Sequence, residues 1–252
     1  MTDIVSLRTL FVSDSQSEAD LLRQGAGRTS LPVDFTHVSQ ATKAISQIGM
    51  GETDLVLIDE AVAPASRTAI VQAAKASKRP PVTLVLVENP ANAPDMTDAV
   101  PDGLVIKPTS ADVATQALAR CSRLRIPSRV LVVDDSSTMR GIVRKILSGS
   151  RFPLDVAEAA EGFAALREIG TGNIDFVMLD YNMPGLNGIE TLSEIKRLNP
   201  RVEVVMITAT PDEDIAQKAR AAGAAAFLKK PFYPADIDTV LLRMCGVRPF
   251  AR

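Results

Sequence analysis

The chain has no tryptophan, only two tyrosines and two cysteines, and no long hydrophobic run among its 252 residues. Cys121 and Cys245 lie far apart and belong to no C-x-x-C pair. That excludes a disulfide scaffold and leaves two free thiols suited to a reducing compartment. No apolar stretch approaches the roughly 20 residues that span a bilayer. The amino terminus, M-T-D-I-V-S-L-R, lacks a basic region followed by a long apolar segment. Membrane insertion is therefore not expected, and a soluble cytoplasmic protein is. An excess of charge of one sign is missing too: the net charge is −2, with 14 acids and 12 bases in residues 1 to 127 and 16 of each in the rest. Without a basic patch or stripe, nucleic acid is not an expected partner. What remains is aliphatic: hydrophobic residues make up 46% and aromatics 4%, which excludes disorder and fits two domains of about 100 to 150 residues or one large one.

Three segments carry most of the information. Val130 to Asp135, V-L-V-V-D-D, ends an apolar run on two adjacent carboxylates. Ile174 to Gly188, I-D-F-V-M-L-D-Y-N-M-P-G-L-N-G, ends another on Asp180. Phe227 to Phe232, F-L-K-K-P-F, places Lys230 just before a proline. Short apolar runs alternate with amphipathic ones, which predicts strands near Arg129 to Asp134, Leu154 to Ala157, Ile174 to Leu179, Val202 to Thr208 and Ala225 to Lys229, with helices between them. Met139, Ile142, Val143, Ile146 and Leu147 share one helical face, as do Ile237, Val240, Leu241 and Met244. A helix after Pro211 has a face of mostly small residues, Ile215, Ala216, Ala219 and Ala222, and so buries less apolar area. The fold class is α/β, with doubly wound parallel sheets whose strand ends converge on one edge.

A weak internal repeat of about 121 residues organises the chain. Thr9 to Ser15 matches Val130 to Ser136, Thr53 to Asp59 matches Ile174 to Asp180, and Leu104 to Pro108 matches Phe227 to Pro231. The basic, proline-containing stretch Ser122 to Ser128 separates the copies. The expected division is a domain at 1–124, a linker at 125–128 and a second domain at 129–252, giving two tandem five-stranded sheets.

Phosphoryl transfer to a carboxylate needs an exposed nucleophilic oxygen, a divalent cation to offset phosphoryl charge, and a fixed positive group. Asp134, Asp135, Asp180 and Lys230 supply that set. The adjacent acids suit Mg2+, a small hard cation that takes a few oxygen ligands and keeps several waters. Asp180 is the nucleophile candidate, and the hydroxyl of Thr208 could hydrogen-bond to the incoming group. Each residue alone has an ordinary explanation: Asp180 as a turn or cap residue, Lys230 as a solvated lysine, Thr208 as a strand threonine, Pro184 and Gly185 as a turn. Their joint occurrence at four strand ends in one order is what carries the site.

These motifs, V-L-V-V-D-D-S at 130–136, L-D-Y-N-M-P-G-L-N-G at 179–188, I-T-A-T at 207–210 and F-L-K-K-P-F at 227–232, make the second half resemble a receiver domain of the bacterial response-regulator family of two-component signalling. The resemblance covers about Arg129 to Gly246. It implies that Asp180 is the phosphoacceptor and that Asp134, Asp135, Asp180 and the main-chain carbonyl of Asn182 hold Mg2+. It also implies that Thr208 and Lys230 contact the phosphoryl group, and that Thr208 and Phe227 are switch residues reshaping the face of the fourth helix, fifth strand and fifth helix. The first half reads as a degenerate copy: Ser13 stands for Asp134, Asp14 for Asp135, Asp59 for Asp180 and Lys107 for Lys230. Leu104 stands for Phe227 and, with a one-residue gap, Glu88 for Thr208. Glu88 would repel a phosphoryl group and neutralise Lys107, so this domain is expected to be phosphorylated poorly and to serve as a docking surface or partner for the second.

His37 has no acidic neighbour of the kind that marks a kinase phosphorylation box and reads as a strand or surface residue. Gly25-Ala26-Gly27 lacks a third glycine and is no dinucleotide site. Arg123, Arg125 and Arg129 read as a solvated helix end, and Phe250 as a small anchor or a disordered end. The expected function is a response regulator without an effector domain, taking a phosphoryl group on Asp180 from a histidine kinase or histidine phosphotransfer protein and signalling through a downstream protein target. A homodimer is an open choice. The pair is also similar to the amino-terminal part of regulators that continue into a cyclic-dinucleotide-making domain. Alternatives are a phosphate sink or relay intermediate, and an aspartyl-nucleophile phosphohydrolase. The last is disfavoured because Asn182 stands where that chemistry commonly places a second acid.

Overall fold

The computed structural model describes residues 6–92, 99–121, 123, 125–209 and 213–250. The sequence-derived features at Met1 to Val5, Ser122, Leu124, Thr210 and Pro211 lie outside the described residues. The chain forms two compact units, Met1–Ile126 with Cys245–Arg252, and Pro127–Met244.

The first unit runs β1 (Leu7–Val12), α1 (Gln16–Ala26), β2 (Val33–Val38), α2 (Ala41–Gly49), β3 (Leu55–Asp59), α3 (Pro64–Ala76), β4 (Val82–Val87), a 3-10 turn (Pro90–Asn92), β5 (Gly103–Ile106) and α4 (Ala111–Cys121). The second runs β6 (Ser128–Val133), α5 (Ser137–Ser148), β7 (Leu154–Ala159), α6 (Gly162–Gly170), β8 (Phe176–Asp180), α7 (Gly188–Leu198), β9 (Glu203–Thr208), α8 (Glu213–Ala221), β10 (Ala226–Lys229) and α9 (Pro234–Met244). A last strand, β11 (Arg248–Pro249), belongs to the first unit.

The two sheets repeat one topology. Strand order is β5-β4-β3-β1-β2 in the first and β10-β9-β8-β6-β7 in the second, with every pairing among these strands parallel. The first α/β turns also repeat: the Ser15 and Ser136 hydroxyls cap α1 and α5, accepting from the amides of Glu18 and Met139. A capping box of Asn187 and Glu190 starts α7. Asp54 and Asp175, just before the central strands, accept from the amides of Arg8 (3.0 Å) and Arg129 (2.8 Å), tying each first strand to its neighbour.

Central strands are buried along their whole length, as parallel strands covered on both faces must be. On α5, Val143 and Leu147 enter the core, whereas Ile142 is 46% exposed; the apolar stripe there is narrower than the sequence pattern. On α9, Ile237, Val240 and Leu241 are buried as expected, with Leu242 in addition. On α8 the buried residues are Ala216 and Ala219.

The far end of the chain departs from the expected division. Residues 129–252 were expected to form one domain, yet Arg248 and Pro249 pair antiparallel with Leu104 and Gly103, extending the first sheet to six strands. Phe250 packs against that unit's core, so it is an anchor. Gly103 permits the close approach: a Cβ there would lie 2.7 Å from the Arg248 carbonyl oxygen. Cys121 and Cys245 are buried free thiols. Burial pushes them up to about 12 and about 11, which leaves both as inert thiols at neutral pH.

Candidate functional site

In the second unit the order of strands reverses between β6 and β8, so their carboxyl ends leave a crevice. Asp134 follows β6 directly and Asp180 ends β8; register pairs Val133 with Leu179, which sets the two acids side by side. Both are buried, at 4% and 6% exposure. Lys230, the residue after β10, reaches between them, with Nζ 2.9 Å from Asp134 Oδ2 and 2.7 Å from Asp180 Oδ1. Its amide donates to the Thr208 carbonyl at 2.7 Å, which fixes the loop to the end of β9. The second carboxylate oxygens accept main-chain amides two residues on: Ser136 N–H to Asp134 (2.9 Å) and Asn182 N–H to Asp180 (2.9 Å).

Two buried carboxylates thus share one ammonium group. Burial pushes Asp180 above its ordinary value, against the opposing pull of Lys230 and with the help of the nearby Asp134 charge. Burial would lower Lys230, but its bonds to Asp180 and Asp134 outweigh this and raise it. Excess negative charge on hard oxygens fits a divalent cation. Asp135 is exposed beside this pair, and among the described residues no three acidic, histidine or cysteine side chains are gathered into a ready-made cage. Thr208 is fully buried at the end of β9, and Lys229 lies opposite it on β10. Phe227 is partly buried against the core of its unit. Arg140, which the sequence did not single out, donates to the Asp134 carbonyl (2.9 Å) and to Glu158 Oε2 (3.0 Å), bracing the loop after β6.

The first unit brings together Asp59, Lys107 and Ser13 in the same positions. Lys107 Nζ lies 2.8 Å from Asp59 Oδ1, and the Ser13 hydroxyl donates to Asp59 Oδ2 at 2.6 Å. Asp14 is exposed. Burial pushes Asp59 up, but the Ala61 amide, Lys107 and the Ser13 hydroxyl outweigh it and hold the carboxyl below its usual range.

Glu88 is not where the overlay put it. Asp59 pairs with Leu86 as Asp180 pairs with Ile207, so the residue matching Thr208 is Val87, and no gap is needed. Val87 has no hydroxyl to offer a phosphoryl group. Glu88 is exposed, one residue past the strand, and its amide donates to Glu60 Oε1. The carboxylate that meets Lys107 comes instead from Glu18 on α1, at 3.0 Å, with Glu60 more distant at 4.0 Å. Leu104 matches Phe227, as expected. His37 lies on β2, where its Nε2 donates to the Ser13 carbonyl (2.8 Å) and its ring stacks on Phe11.

Residues 130–242 match the family described as the response regulator receiver domain. A chemotaxis protein CheY from Pseudomonas aeruginosa is 39% identical over 107 residues, 41% of this chain and 85% of that one. CheY-3 from Vibrio cholerae is 38% identical over 115 residues, 45% of this chain and 88% of that one. A solved putative two-component system response regulator/GGDEF domain protein is 21% identical, with 95% of this chain and 97% of that one covered at a TM-score of 0.48.

Proposed function

The chain belongs to the response regulator receiver family and is a two-component signalling protein that accepts a phosphoryl group on an aspartate; we propose that this aspartate is Asp180. The observation that carries the choice is the Lys230 ammonium bridging Asp134 and Asp180 at 2.9 and 2.7 Å, at the strand-order reversal of the sheet. A carboxylate oxygen of Asp180 attacks phosphorus, the phosphorus–nitrogen bond of a partner's phosphohistidine breaks, and the imidazole leaves with that electron pair. Lys230, already at the carboxylate, turns to the new phosphoryl oxygens. Asp134, Asp135, Asp180 and the main-chain carbonyl of Asn182 would hold Mg2+, which supplies charge to offset the phosphoryl oxygens. Thr208, buried at the neighbouring strand end, contacts the transferred group and, with Phe227, passes the change to the face of α8, β10 and α9. α8 buries only alanines on its core side, and a weakly packed element suits a switch biased by new local charge.

We assign the first unit the role of a degenerate receiver that acts as a docking surface or partner. Ser13 and Val87 replace an acid and a hydroxyl, and the fold is kept without the full donor set. Output is phosphorylation-dependent binding to a downstream protein.

Phosphotransfer profiling against the histidine kinases and phosphotransfer proteins of the source organism tests this. One kinase should label the wild type rapidly, and a downstream protein should bind the labelled form more tightly. Rapid return of the phosphoryl group to the kinase, without such binding, would favour a sink or relay. Turnover of a phosphomonoester would instead make the protein a hydrolase.

A further inference from the structure

The position three residues into each first helix differs between the two units. Ser15 and Ser136 are equivalent N-caps, accepting from Glu18 N–H and Met139 N–H respectively, so Glu18 stands where the second unit has Met139. A Ser-x-x-Glu sequence at a helix start ordinarily folds as a capping box, the glutamate reaching back to the N-cap amide. Here that amide is already taken: Ser15 N–H donates to the Ser13 hydroxyl at 2.9 Å. Glu18 turns instead to Lys107, with Oε1 3.0 Å from Nζ. Its other oxygen, Oε2, is buried with no hydrogen-bond partner among the described residues, and burial pushes the Glu18 carboxyl above its ordinary value against the pull of Lys107.

Lys107 is thereby held between Asp59 and Glu18, whereas Lys230 is held between Asp180 and Asp134. The first unit has lost the acid after its first strand and regained a carboxylate from its first helix. The two placements differ in consequence. Asp134 belongs to the sheet end, while Glu18 brings a carboxylate to its lysine from the first helix.

We propose that Glu18 is a built-in carboxylate that fills the first unit's site from within, holding Lys107 and closing Asp59 to phosphoryl donors. This rests on the assignment of Asp180 and Lys230 above and adds a residue and a cause to the silence of the first unit. Loss of the acid at Ser13 is then not a sufficient explanation, and restoring it alone does not reopen the site.

The test uses the full chain carrying Asp180→Asn, Ser13→Asp and Val87→Thr, with and without Glu18→Met, the residue the second unit has at that place. Acetyl phosphate with Mg2+ is the donor: an Asp59 carboxylate oxygen attacks phosphorus and acetate leaves, adding one acid-labile phosphoryl group read by intact mass. Circular dichroism checks folding, and Glu18→Gln, similar in shape but uncharged, stands in if the methionine variant does not fold. Labelling of Asp59 should be at least about tenfold faster without the Glu18 charge, since a like charge at this range in a half-buried site repels the incoming group strongly. Equal labelling with and without Glu18, whether fast or absent, would overturn the proposal. The parent assignment is tested separately by labelling of the wild type against Asp180→Asn alone, so the two can fail independently.

Discussion

Asp134 and Asp180 share Lys230 in a buried setting, so the three residues respond differently to removal. Lys230→Met leaves two buried carboxylates without a cation and should cost about 3 kcal/mol. Asp180→Asn leaves Asp134 still paired with Lys230 and relieves a carboxyl that burial disfavours, so it should fall within about 1 kcal/mol of wild type. Urea midpoints measured in EDTA separate the two; a larger loss for Asp180→Asn would contradict this charge balance. In the first unit Asp54 accepts from the Arg8 amide and from both ends of its guanidinium fork at 3.0 to 3.1 Å. Burial pushes Asp54 up, but these bonds and Arg125 outweigh it and lower its pKa from the ordinary 3.8. A depressed folded pKa contributes stability that is present above the unfolded value and lost as pH falls through the folded one. Asp54→Asn should therefore cost about 1.5 to 3 kcal/mol at neutral pH. That gap should close as pH drops below 3.8 in urea titrations at successive pH values; a gap that stayed constant would contradict the assignment.

The residues legible in the sequence were those whose neighbours in space are strand ends: Asp134, Asp180, Lys230, Asp59 and Lys107 needed only the topology to bring them together. Glu88 misled because the overlay was drawn through a gap, whereas strand register requires none and puts Val87 there. Glu18 was not found because its spacing from Ser15 is that of a helix cap, and nothing local reveals that Ser13 has already satisfied the amide.

Among elements, the strands of the second unit could be read from the sequence to within two residues at their ends. The alanine face of α8 was legible as well, and it carries a dynamic consequence. A helix that buries Ala216 and Ala219 removes less apolar area from water than α7, which buries Leu192 and Ile195. Amide exchange should be faster in α8 than in α7, read peptide by peptide by mass spectrometry, and faster exchange in α7 would contradict it. The tail strand β11 was not legible: two residues, one of them proline, pair with a partner more than 140 positions away. Its docking depends on Gly103, so Gly103→Val should raise exchange across 245–250 without altering that of β8. Unchanged protection of the tail would show that the backbone can yield at that contact.

For the whole molecule, the repeat makes the two-copy architecture visible in the sequence itself, because each copy keeps the same apolar strands and similar strand-end residues. What the repeat could not decide was how the tail is shared, since nothing in its composition ties it to the first sheet. Two units of one topology differ in the residues that face their lysines, and only one of them is expected to take a phosphoryl group. The most direct measurement is intact mass of the full chain after acetyl phosphate and Mg2+, for wild type, Asp180→Asn and Asp59→Asn. A single acid-labile phosphoryl group on the wild type and on Asp59→Asn, with none on Asp180→Asn, is the expected result. A phosphoryl group retained by Asp180→Asn and lost in Asp59→Asn would contradict the account at its centre.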